Sequence, residues 1–117
     1  METRVISVRT PRASVTALEE SAARANVSVA RAVDWLVRNS IDNLEPLRQL
    51  GDSPDPCNAK VDARIPVATT ELLRSAAAQL GISTSVYIRK LLYHFYISKR
   101  LRYVDSNGRY TLAFRYD

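Results

Sequence analysis

Among 117 residues there is one cysteine, Cys57, one histidine, His94, and only three glycines. A lone cysteine forms no internal disulfide, which fits a reducing compartment. His94 has no cysteine or carboxylate at ligand spacing, so it reads as a packing or surface residue and not as a metal ligand. Three glycines provide no glycine-rich phosphate loop, and no paired carboxylates or nucleophile with a base at useful spacing stand beside them; catalysis is not expected. Long apolar runs are missing too. None approaches the roughly 20 residues of a membrane span, and Met1 to Val8 alternates polar with apolar residues where a signal peptide needs a continuous apolar stretch.

What the chain does contain is a motif written twice. Residues 5 to 41 align without a gap on residues 60 to 96 at a constant offset of 55, with identities at Arg9/Arg64, Pro11/Pro66, Ala13/Ala68, Leu18/Leu73, Ala22/Ala77, Ala23/Ala78, Ser28/Ser83 and Leu36/Leu91. Asn26 aligns with Gly81, the two residue types that best tolerate a left-handed helix end. Internal repeats govern the whole reading of a fold, so the two copies are treated as one plan.

Each copy predicts a strand and two helices. Val5 to Thr10 is β-branched and alternating, with Ile6, Val8 and Thr10 on one face and Val5, Ser7 and Arg9 on the other; Pro11 ends it. Ser14 is a candidate N-cap, Thr16 with Glu19 offers a capping box, and Val15, Leu18, Ala22 and Ala25 fall at helical spacing. Ser28 caps a second helix whose apolar face is Val29, Val33, Leu36, Val37 and Ile41. In the second copy Val61, Ala63 and Ile65 alternate with Lys60, Asp62 and Arg64 before Pro66. Thr69 is the candidate cap for a helix bearing Leu72, Leu73, Ala76 and Leu80, and Ser83 starts a longer helix with Ile88, Leu91, Leu92 and Phe95. The proline-bearing stretch between the copies reads as a linker. Near the C-terminus, Tyr103 to Phe114 alternates around Asp105, Ser106, Asn107 and Gly108, as a β-hairpin does.

The expected organisation is a single domain of residues 1–117: a first repeat at 4–42, a linker at 43–58, a second repeat at 59–98 and a basic extension at 99–117. The fold class is mainly α with a short two-stranded antiparallel ribbon, plus a C-terminal hairpin. A unit of about 40 residues buries too little apolar surface to stand alone, and here its partner lies in the same chain. Antiparallel pairing of the strands would turn Ile6, Val8, Thr10, Val61, Ala63 and Ile65 toward the helices. The opposite face would then carry Val5, Ser7, Arg9, Lys60, Asp62 and Arg64, which are mostly hydrogen-bonding residues. A two-stranded ribbon of this size fits the major groove of B-DNA, where each base pair shows a distinct donor and acceptor pattern.

Charge points the same way. The formal net charge of +5 comes from 17 basic and 12 acidic residues, and the segment from Arg89 to Asp117 carries all of it. Arginine, which dominates the basic residues, grips phosphate or a guanine edge bidentately. Tyr103, Tyr110 and Tyr116 interleave with Arg102, Arg109 and Arg115; they suit stacking on nucleic acid and equally suit a strand packed on the core. Tyr87, Tyr93 and Tyr96 read as packing residues.

The run Val61-Asp62-Ala63-Arg64-Ile65-Pro66, followed by a helix and then Gly81-Ile82-Ser83-Thr84-Ser85, resembles the ribbon-helix-helix superfamily of DNA-binding proteins. Ile6-Ser7-Val8-Arg9-Thr10-Pro11 with Asn26-Val27-Ser28 matches the same pattern more weakly. The resemblance implies base contacts from Val5, Ser7, Arg9, Lys60, Asp62 and Arg64, and phosphate contacts at the start of each second helix from Ser28, Val29, Ser83 and Thr84. It departs from the pattern at Val5, which has no hydrogen-bonding side chain, at Asp62, which repels phosphate, and at Ala30, where the other copy has Ser85. Most members pair two copies of one unit. A chain that joins two unequal units is similar to certain accessory proteins of plasmid conjugation and of T-DNA transfer in bacterial virulence. That likeness implies an intramolecular pseudo-dimer in the bacterial cytoplasm, with no cofactor and no membrane. It further implies double-stranded DNA with an asymmetric site as ligand, a relaxase and other transfer proteins as partners, and side-by-side assembly on DNA. A transcriptional repressor and an antitoxin-like protein-interaction module are the alternative functions compatible with the sequence.

Overall fold

The computed structural model describes residues 2–98, together with short strands at 101–103 and 112–114. Strand β1 (Thr3–Thr10) leads into helices α1 (Arg12–Arg24) and α2 (Val29–Ser40); a short helix α3 (Glu45–Gln49) follows, then β2 (Ala59–Pro66), α4 (Val67–Leu80) and α5 (Thr84–Ser98). β1 and β2 form a two-stranded antiparallel sheet. Strands β3 (Leu101–Tyr103) and β4 (Leu112–Phe114) pair antiparallel with each other. The expected turn at Asp105–Gly108 lies outside the described residues, as do Tyr110 and Tyr116.

The sheet buries one face only, and that decides which residues point where. Val8, Thr10, Val61, Ala63 and Ile65 are buried, Ile6 is half-buried, and the alternate residues are exposed. The helices cover this face crosswise: α2 packs on β2, and α5 packs on β1. Each half of the chain therefore completes the core of the other. Val33, Leu36 and Val37 from α2 join Ile88, Leu91, Leu92 and Phe95 from α5 in one cluster with the sheet. At its centre Tyr87 is fully buried, and its hydroxyl lies 2.6 Å from that of Ser40 across the two halves. Burial pushes the Tyr87 phenol above its ordinary range.

Both first helices end alike. The amide of Val27 bonds the carbonyl of Ala22 and that of Asn26 bonds Ala23; in the second half Ile82 bonds Ala77 and Gly81 bonds Ala78. This six-to-one, five-to-two pattern needs a left-handed residue at the turn, supplied by Asn26 at φ 56° and Gly81 at φ 70°. The helix starts differ from expectation. Helices α1 and α4 begin directly after Pro11 and Pro66, with no side-chain cap. Proline fixes the extended entry to the helix, so the chain turns before Ser14 or Thr69 is reached. Ser14 is instead buried inside α1, and the Thr69 hydroxyl donates to the Asp34 carboxylate on α2. Leu72, expected on the buried face of α4, is 40% exposed, and Ala77 occupies that face beside Leu73 and Ala76.

The segment 43–58 is more than a tether. It contains α3, whose Leu47 is completely buried, and Lys90 on α5 holds the following turn by donating to the Leu50 carbonyl at 2.7 Å. The Asp52 carboxylate also lies 3.6 Å from Lys90 Nζ. Among the described residues no helix is long and apolar enough to cross a membrane.

Candidate nucleic-acid interface

The outward face of the ribbon is built from three cross-strand pairs. Val5 lies opposite Arg64, Ser7 opposite Asp62, and Arg9 opposite Lys60. Ser7 and Asp62 are the residues that the offset of 55 superimposes, so the register places equivalent positions face to face at the middle of the ribbon. Around that pair the offset exchanges the strands: Val5 exchanges with Lys60 and Arg9 with Arg64. All six side chains are exposed.

Their chemistry is not symmetric. At the centre the Ser7 hydroxyl donates to the Asp62 carboxylate, and Lys60 Nζ sits 3.6 Å from the same oxygen. Both charges are more than half exposed, so the pair contributes only about 0–1 kcal/mol to stability. Its effect on the surface is larger: it neutralises the one negative group of the ribbon and orients Lys60. Arg9 and Lys60 make one end doubly basic. At the other end Arg64 stands beside an apolar residue and donates to the Thr3 hydroxyl at 3.4 Å. Three cations against one carboxylate leave the face positive, as a polyanion requires.

Both second helices begin with a serine cap. Ser28 caps α2 by accepting from the Arg31 amide at 3.1 Å, and Ser83 caps α5 by accepting from the Val86 amide at 3.1 Å. The first intrahelical bonds run from Ala32 to Ser28 and from Tyr87 to Ser83, which leaves the amides of Val29, Ala30, Thr84 and Ser85 at the positive end of a helix dipole. Ser28, Ser83 and Thr84 are exposed and Val29 is half-buried. Thr84 and Ser85 share one open groove with Val5 and Ser7 of β1, so the start of α5 flanks the ribbon directly. An anion bound at that helix start would sit beside Val5 and Ser7 of β1.

Several contributors escape sequence reading. Arg89 donates through Nε to the backbone carbonyl of Arg9 at 2.9 Å, fixing the doubly basic end of the ribbon to α5. Arg4 is a further exposed cation on β1, and Arg31 is exposed in the first turn of α2. Only a folded chain brings Arg89 to Arg9, 80 residues away, so no local pattern marks it. Among the described residues no cluster of histidine, cysteine or carboxylate residues suits a metal. Arg102 lies on β3, whereas Arg109 and Arg115 fall outside the described residues. Comparison with family models, with curated proteins and with solved structures gives no match.

Proposed function

We propose that the chain is a sequence-specific double-stranded DNA-binding protein of ribbon-helix-helix type. In this reading the two strand-helix-helix halves form a pseudo-dimer within one polypeptide, and the ribbon enters the major groove while the starts of α2 and α5 hold the flanking phosphates. The observation that carries it is the exposed ribbon face: Arg9, Lys60 and Arg64 project from a sheet whose other side is buried, with Ser7 and Asp62 bonded at its centre. Such a surface has hydrogen-bonding groups at the alternating spacing that reads base edges, and no apolar continuity that would suit a protein core.

The biological role we assign is that of an accessory factor in plasmid or T-DNA processing and transfer, placing a relaxase beside its nicking site. This part rests on the resemblance of the tandem, single-chain arrangement to transfer accessory proteins. Binding of a labelled duplex from a plasmid transfer region, followed over a salt series, tests the reading. Affinity is expected to fall steeply with salt, because each neutralised phosphate releases counterion, with a log–log slope of about −0.9 per phosphate. Light scattering should give one chain per ribbon. Salt-independent binding, or retention of a protein partner with no DNA, would reject it.

A further inference from the structure

Val5 is the one apolar side chain on the outward face of the ribbon, and it is 54% exposed. Its two fellow large hydrophobic residues at comparable exposure, among the described residues, are Leu72 and Ile97, both on helices. On the sheet face Val5 stands among polar groups: Arg64 lies directly across, and Ser7 follows on the same strand. About half of the Val5 side chain is open to solvent, so an apolar group brought against it would gain burial free energy. In the major groove the apolar feature of a base edge is the C5-methyl group of thymine. The position exchanged with Val5 by the offset of 55 is Lys60, a cation suited to the acceptors of guanine. The two ends of the ribbon therefore present different chemistry: Arg9 with Lys60 at one, Arg64 with Val5 at the other.

From this we infer that Val5 reads a thymine methyl group, and that the pair Val5 and Arg64 fixes the direction in which the protein lies on a non-palindromic site. The inference rests on the DNA-binding reading above and adds the identity of a base to it. Geometry supports the assignment twice. Val5 lines the groove it shares with Thr84 and Ser85, so a backbone held by the start of α5 runs beside it. Arg64, its cross-strand neighbour, is steadied by Thr3 and offers a guanidinium to a guanine in the same half-site. The doubly basic end has no counterpart for a methyl group, and there the preference should be for guanine alone.

The test uses the full chain and a duplex obtained by random-site selection. Each thymine of that duplex is replaced in turn by deoxyuridine, which removes the methyl and nothing else. One thymine, in one half only, is expected to weaken binding about fourfold when demethylated, the factor that burial of a single methyl group provides. Val5→Ser should bind both duplexes equally and keep the salt slope of the unaltered protein. Tolerance of deoxyuridine at every position, or sensitivity that survives in Val5→Ser, would overturn the inference while leaving DNA binding intact. Failure of selection to yield any preferred sequence is a separate result, and it would remove base reading by the ribbon altogether.

Discussion

Ser40 and Tyr87 meet in the interior where the two halves interlock, and their hydroxyls make an unequal pair. Ser40 Oγ also lies 2.7 Å from the Val37 carbonyl, to which it donates, so the Tyr87 hydroxyl is the donor between them. Tyr87→Phe removes that donor and leaves Ser40 with its backbone partner; the cost should be that of one ordinary hydrogen bond, about 1 kcal/mol. Ser40→Ala does something worse. It strands the Tyr87 hydroxyl in a fully buried site, and an unsatisfied buried donor costs about 1–3 kcal/mol. With both changes made, no polar group remains unpaired, so the double variant should be more stable than the two single losses predict, by about 1 kcal/mol. Urea unfolding of the four proteins at one temperature measures this directly. Additive losses, or Tyr87→Phe more damaging than Ser40→Ala, would mean that α2 and α5 do not meet in this way, and the interlocked core would fall with them.

The same tyrosine gives a pH prediction. Its folded pKa is raised above the unfolded value near 10, so the folded chain holds the proton longer, and stability present below pH 10 should decline as pH rises beyond it; Tyr87→Phe should show a shallower decline in unfolding midpoints. Leu47→Ala should cost about 2–5 kcal/mol in denaturant unfolding, because Leu47 is fully buried, whereas a free tether would show no change. Gly81→Ala should destabilise by about 1–2 kcal/mol through its left-handed backbone alone, since no neighbour lies within 4 Å of an added Cβ; Asn26→Gly, at the matching turn, should be nearly neutral by the same assay.

Much of this architecture is legible in the chain because its signals are local. Alternation in Val5–Thr10 and Val61–Ile65 marks the buried and exposed faces, for a strand with one wet side has no other stable pattern. Asn26 and Gly81 announce the helix ends, and Ser28 and Ser83 the starts that follow, because each needs only its own neighbours to act. Where tertiary contacts decide, the sequence is silent. Nothing local distinguishes Thr69 as a partner for Asp34 from Thr69 as a cap, and Pro66 already performs the entry to α4. Helix α3 is five residues long, too short for a periodic pattern, and its one buried leucine is visible only when α5 is packed beside it. The offset of 55 likewise says which residues are equivalent but not which pair lies at the middle of the ribbon. That depends on the strand register, which puts Ser7 against Asp62. Arg9 and Arg64 are legible as a repeated residue, while Arg89, which anchors Arg9, is not.

The most direct measurement of the central claim is the discrimination between a selected and a random duplex by Arg9→Ala, Arg64→Ala and the double variant. Arg9 and Arg64 belong to cross-strand pairs four residues apart along β1, roughly 13 Å, far enough for their effects to add. Each replacement should lower the discrimination by about 1–3 kcal/mol, and the double variant by about the sum. Equal weakening on both duplexes, or none on either, would show that this face of the ribbon does not read bases.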